Sequence, residues 1–130
     1  MMPVRTDCTL VSNNFSTACF TSILVAAAAT SNTTTVEVSR ATDTVARLGG
    51  DEFAVVLAGV SNPVQAIGLA QSLRRHIAEP IDVEGVVMRT EASIGMAVAP
   101  DHGRDVDTLL RRADIAMYVA KGGRTGVEAY

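Results

Sequence analysis

Tryptophan is absent, and aromatic residues make up only 4% of the 130-residue chain. That scarcity excludes the stacked aromatic platforms on which single-stranded nucleic acids are held. Positive charge is scarce too. Eleven Lys and Arg against 14 Asp and Glu, spread along the chain, leave a net charge of −3. This is the wrong sign for a nucleic-acid surface. The two cysteines, Cys8 and Cys19, both lie in an irregular N-terminal head and do not make a disulfide framework. A reduced, cytoplasmic protein is the expectation. The two histidines, His76 and His102, stand far apart, outside the spacing of a zinc site. His76 falls on the outer face of a predicted helix and His102 in a loop. No long hydrophobic run occurs either. The apolar patch Ala18 to Ala29 (ACFTSILVAAAA) is too short to span a bilayer. As a signal-peptide core it lacks a positive start, since Arg5 is offset by Asp7. Neither a membrane partner nor export is expected.

What is present supports one domain. At 48% hydrophobic, a chain of this length can bury a single core. Its two parts differ. Residues 1–39 are rich in Ser, Thr and Asn and read as an unrelated or degraded N-terminal segment. An alternative reading of Ile23 to Arg40 is a degraded helix leading into the hairpin, although Thr33-Thr34-Thr35 is a poor helix interior because β-branched side chains lose rotamer freedom there. Residues 40–130 are patterned. Val45 to Leu48 and Phe53 to Val60 read as two strands around a Gly-Gly turn. Asn62 as N-cap, Pro63 at the first helical position and Gln65 three residues after the cap open a helix. Its expected buried stripe is Val64, Ile67, Ala70, Leu73 and Ile77. Glu84-Gly85 predicts a turn between Ile81–Val83 and Val86–Arg89. Thr90, Ala92, Ile94, Met96 and Val98 predict a strand with one well-buried face. Asp105 caps a second helix with Val106, Leu109, Leu110, Ala113, Met117 and Ala120 on one side. Met117 and Tyr118 are expected in the core. Gly122-Gly123 ends this helix, and Gly126 to Tyr130 offers a last strand.

The turn between the first two strands is the densest signal. Arg40 to Phe53 reads RATDTVARLGGDEF, with two glycines and then two adjacent carboxylates, Asp51 and Glu52. Paired glycines let a backbone approach a phosphate with no Cβ in the way. An acid at the same tip can hold a divalent metal that neutralises that phosphate. By itself, such a turn is also ordinary solvated loop chemistry. The five residues Gly49, Gly50, Asp51, Glu52 and Phe53, the VARL and AVVL runs beside them and the elements downstream resemble the GGDEF domain of diguanylate cyclases, which condense two GTP into cyclic di-GMP.

The resemblance implies an α/β (α+β) fold, a nucleotidyl-cyclase-like mixed sheet with flanking helices. It implies Mg²⁺, or Mn²⁺, at Asp51, which would also help deprotonate the attacking 3′-hydroxyl, with Glu52 supporting the turn. It implies substrate contacts from Gly49, Gly50, Lys121 and Arg124, although the step from Lys121 to Arg124 is one residue shorter than usual. Arg40 and Asp43 match the family's inhibitory cyclic di-GMP site, an RxxD pair ahead of the hairpin. A guanidinium fork suits phosphate and the guanine edge, and a carboxylate accepts from guanine amino groups. The bland alternatives are a surface ion pair for Arg40 and Asp43, and cations complementing a helix C-terminus for Lys121 and Arg124.

Only the second half of a family domain is matched. Relatives begin with a strand carrying another metal-binding Asp, followed by a helix and loop whose Asn and Asp recognise guanine. Asp7, Asn13 and Asn14 stand in a different context. The expectation is therefore a domain missing the N-terminal part of its fold, including the strand at the sheet centre, with cyclase activity impaired. The alternatives are a catalytically inactive module binding cyclic di-GMP through the RxxD site, and a non-functional truncated product. Implied partners are GTP, cyclic di-GMP, a second copy in a homodimer and, in relatives, sensory or phosphodiesterase domains.

Overall fold

The computed structural model describes residues 21–28, 43–49, 51–60 and 62–130. The described elements run β1 (Thr21–Ala28), β2 (Thr44–Gly49), β3 (Glu52–Ala58), α1 (Pro63–Ile77), β4 (Ile81–Val83), β5 (Val86–Met88), β6 (Ala92–Ala99), α2 (Val106–Gly123) and β7 (Val127–Ala129). Five strands form one mixed sheet in the order β2-β3-β1-β6-β7, while β4 and β5 pair as a separate ribbon. All contacts in the large sheet are antiparallel except β6 with β7, which is parallel.

The expectation of an absent central strand does not hold. β1 occupies the sheet centre, with Thr21 to Ala27 paired to Ala58 through Glu52 on one side and Thr21 to Ala28 paired to Ala99 through Ala92 on the other. It lies on the N-terminal side of residue 40. Its sequence, TSILVAAA, is a continuous apolar run without a period of two. Four consecutive alanines, weak strand formers without a period of two, conceal it in the sequence.

Alternation along β6 sorts its residues to the two faces of the sheet. Ala92, Ile94, Met96 and Val98 pack with Val55 and Leu57 of β3 and with Ala66, Ala70, Leu73 and Ile77 of α1. Ala97 and Ala99 pack with Leu109, Ala113 and Met117 of α2. The expected single buried face of this strand is therefore two, and the second is built from small residues because a helix lies directly on it. Gly95 marks the closest approach. A Cβ there would collide with the Ala113 carbonyl oxygen and the Met117 backbone nitrogen, and would sit 2.7 Å from Met117 Cα.

Both helices start where the sequence places them. The Asn62 side chain accepts the Gln65 N–H at 2.9 Å, and Asp105 accepts the Thr108 N–H at 2.8 Å. Thr90 Oγ1 donates to the Ile77 carbonyl at 2.8 Å, tying down the end of α1. Two core assignments are corrected. Val64, at the exposed start of α1, is 78% accessible, and Ala66 replaces it in the buried stripe. Met117 is buried as expected, but Tyr118 is 78% accessible. Successive helix residues diverge by about 100°, so a narrow seam buries one and exposes the next. Among the described residues no helix is long and apolar enough to cross a membrane.

Candidate active site at the hairpin end of the sheet

β2 and β3 form the expected hairpin. Arg47 pairs with Phe53 and Gly49 with Glu52, with a register shift between Arg47 and Gly49. A bulge of this kind increases local twist and re-aims the tip. Phe53 is buried and anchors the first turn of β3. The Arg47 guanidinium carbon stands 6.0 Å from its ring centroid, within cation–π range. Asp51 and Glu52 are exposed at the tip. A Cβ added at Gly49 would meet nothing within 4 Å, so open space rather than packing surrounds this glycine. Gly50 lies outside the described residues.

Topology decides what faces the tip. β3 begins at Glu52, and its antiparallel neighbour β1 ends there, with Ala27 paired to Glu52. β6 is antiparallel to β1 and begins at the same end, with Ala27 paired to Ser93. β7 is parallel to β6, with Ile94 opposite Val127, so it too begins there. The segment joining α2 to β7 therefore returns to the hairpin end of the sheet, bringing Lys121 and Arg124 with it. Three strand spacings of about 4.8 Å separate β3 from β7, so the row is roughly 14 Å across.

Lys121 is exposed in the last turn of α2. Arg124 is the C-cap of that helix, in the left-handed conformation (φ 55°, ψ 27°). Its backbone N–H and that of Thr125 both return to the Ala120 carbonyl, the latter at 3.2 Å. Arg124 shares a groove with Arg74, Glu91, Ala92, Ser93 and Gly126. The two cations at one side of the row suit phosphate oxygens, while the two carboxylates at the other would meet a phosphate only through a metal cation. Among the described residues no three His, Cys, Asp or Glu side chains are grouped to hold a metal. The donors at the tip are the adjacent carboxylates Asp51 and Glu52. That set fits Mg²⁺ arriving with a nucleotide, because Mg²⁺ is commonly held by one or two carboxylates plus substrate phosphates. It does not fit a preformed cage. β1, which supplies the middle of the row, contains no carboxylate.

Asp43 of the RxxD motif stands elsewhere. Asp43 is half-buried immediately before β2, at the end of that strand away from the tip. Six residues at about 3.4 Å each put it roughly 20 Å from the hairpin turn. Arg40 lies outside the described residues. Ser93 and Arg74 carry no local motif. Ser93 becomes visible only through strand register. Arg74 shows itself as a basic residue directly after the core position Leu73, but its destination depends on the fold.

A family model described as diguanylate cyclase, GGDEF domain, matches residues 27–126. Over 88 residues the chain is 46% identical to the bifunctional diguanylate cyclase/cyclic di-GMP phosphodiesterase MucR of Pseudomonas aeruginosa, a match covering 67% of this chain and 13% of MucR. Over 83 residues it is 42% identical to the diguanylate cyclase TpbB of the same species, covering 63% of this chain and 19% of TpbB. The chain thus spans only a small part of these curated relatives. The crystal structure of the GGDEF domain of TpbB superposes with a TM-score of 0.77 at 27% identity, over 85% of this chain and 81% of that one. The GGDEF domain of DgcB from Caulobacter crescentus, solved with c-di-GMP, superposes with a TM-score of 0.69 at 19% identity, over 85% and 78%, a likeness of fold alone. With the motif at a hairpin tip, the matching sheet beneath it and a family model covering most of its length, the chain belongs to the diguanylate cyclase GGDEF domain family.

Proposed function

We propose that this chain is a nucleotide-binding GGDEF domain of cyclic di-GMP signalling that receives GTP with a divalent metal at the hairpin end of its sheet and is impaired in condensing two GTP to cyclic di-GMP. The observation that carries both halves is the row across the sheet. Asp51 and Glu52 stand at one side and Lys121 and Arg124 at the other, while the strand between them, β1, presents Ala27 opposite Glu52 and holds no acid.

Asp51, with Glu52 beside it, would hold Mg²⁺ or Mn²⁺ together with the nucleotide phosphates. Bound there, the metal would offset phosphoryl charge as it develops. The open backbone at Gly49 leaves room for the phosphates to come close. Lys121 and Arg124 would take the far end of the triphosphate, Lys121 as a point charge and Arg124 as a planar fork. With no carboxylate from the central strand, the metal has a smaller protein donor set and Asp51 must serve alone at the attacking hydroxyl. Ground-state binding then survives better than the transition-state contacts that set turnover. The boundary of the domain is proposed to lie upstream of residue 40, because β1 completes the sheet.

A second reading rests on the separation of Asp43 from the tip. Asp43 stands one strand length from the row, and a cyclic di-GMP site at Arg40 and Asp43 would bind product without occupying the substrate site. Thermal unfolding of the whole chain tests both readings, because a ligand that binds only the folded state stabilises it, by about 2.7 kcal/mol at a hundredfold excess over Kd, and so raises its midpoint. GTP with Mg²⁺ is expected to raise the midpoint of the native chain and not that of Asp51→Ala. Cyclic di-GMP is expected to raise it in Asp51→Ala but not in Arg40→Ala. An unmoved midpoint with GTP and Mg²⁺ would contradict the first reading, and an unmoved midpoint with cyclic di-GMP the second.

A further inference from the structure

Arg74 leaves its own helix. It sits in the last turn of α1, half-buried, and its Nε donates to the carbonyl oxygen of Ala92, the first residue of β6, at 3.0 Å. Ala92 is buried, so this donor satisfies an acceptor at a sheet end where no further strand residue precedes it. The same guanidinium packs against the backbone of Gly126. A Cβ at Gly126 would fall onto Arg74 Nε and Cζ and lie 2.9 Å from Nη1. Gly126 is buried with φ +84°, a conformation that other residues rarely adopt, and its carbonyl accepts the Ile94 N–H at 2.9 Å. Arg74 thus contacts both strands of the parallel β6–β7 pair at the point where each begins.

Between that point and α2 lie only Arg124 and Thr125. On the α2 side both N–H groups return to the Ala120 carbonyl. On the β7 side the turn ends at Gly126, against the Arg74 guanidinium. The turn that carries Arg124 is therefore clamped at its two ends, once by helix backbone and once by a side chain from the opposite layer. A guanidinium suits the second clamp, because it offers a planar face to a Cα without a Cβ while its edge donates to a neighbouring carbonyl.

We infer that Arg74 is a positioning residue for Arg124: it locks the start of β6 to Gly126 and so holds the Arg124 guanidinium at the Ser93 end of the row, where the nucleotide phosphates are received. The inference rests on the proposed phosphate role of Arg124. It assigns Arg74 no contact with the nucleotide.

The experiment measures GTP affinity in the presence of Mg²⁺ for the native chain, Arg124→Ala, Arg74→Gln and the double variant, at a temperature well below each unfolding transition. Arg124→Ala and Arg74→Gln are each expected to weaken binding about tenfold, the size of one charge-assisted contact, and the double variant no further than Arg124→Ala alone. A residue acting through another shows this non-additivity. Should Arg74→Gln fail to fold, Gly126→Ala reaches the same contact from the other side and is expected to weaken binding without adding to Arg124→Ala. Losses that add would overturn the inference by making Arg74 a direct contact. Unchanged affinity in folded Arg74→Gln would overturn it by reducing Arg74 to a fold-stabilising residue. Unchanged affinity in Arg124→Ala would overturn the phosphate role on which it rests, and a weakened Arg124→Ala beside an unaffected Arg74→Gln separates the two failures.

Discussion

Replacing Gly95 by alanine should cost this domain a large share of its stability, because the obstacle is backbone. The added methyl would collide with the Ala113 carbonyl oxygen and the Met117 nitrogen of α2, neither of which can rotate away. Restoring an ordinary contact of 3.4 Å from the 2.7 Å that it would have to Met117 Cα requires α2 to retreat by at least 0.7 Å (3.4 − 2.7). A radial gap of that order forfeits about a quarter to a half of the dispersion well of each contact along the seam. Leu109, Ala113 and Met117 all pack on that seam. Overpacking typically costs about 1–3 kcal/mol, and a rigid obstacle places this site near 3. For a domain of this size each kcal/mol moves the midpoint by about 4–8 °C, so the loss is on the order of 12–24 °C. The control is Gly68→Ala, inside α1, where a Cβ meets nothing within 4 Å. There alanine should stabilise by about 0.5–1 kcal/mol through helix propensity alone. Circular dichroism melts of the two variants give the comparison directly. A Gly95→Ala melt within about 3 °C of the native curve would refute the close approach of α2 to β6.

Other consequences are smaller. Asn62→Ala removes the acceptor for the Gln65 N–H and should lower stability by about 1 kcal/mol, read as a shifted urea midpoint with unchanged slope. Asp105 is held below the usual carboxylate value of 3.8, first by the backbone hydrogen bond from Thr108 and next by that residue's side chain. Because the folded value is the depressed one, its contribution is present above pH 3.8 and is lost as the pH falls through that folded value. Asp105→Asn keeps a capping oxygen but does not titrate, so the stability gap between it and the native chain should shift toward the variant across that acid limb; a constant gap would refute the assignment. Introducing Ala27→Asp puts a carboxylate in register with Glu52, and Mn²⁺ affinity measured by calorimetry should rise.

The fold was legible where local chemistry and period agreed. Asn62-Pro63 and Asp105 announced both helix starts, Glu84-Gly85 the small ribbon, and the two runs around Gly49 to Glu52 the hairpin. β1 was not legible, because its apolar run lacks a period of two and its alanines carry little strand propensity. Nor was the second buried face of β6, since Gly95, Ala97 and Ala99 look neutral until a helix is known to lie on them. At the candidate site, the hairpin tip that carries Asp51 and Glu52 could be read directly, because a local motif encodes it. Ser93 and Arg74 could not, because what places them at the site is pairing register and a hydrogen bond spanning 18 residues.

The most direct test of the central claim is product formation by the purified chain supplied with GTP and Mg²⁺, followed by chromatography beside Asp51→Ala. The account predicts that the native chain binds GTP yet releases cyclic di-GMP no faster than Asp51→Ala. Sustained cyclic di-GMP production by the native chain, abolished in Asp51→Ala, would contradict it.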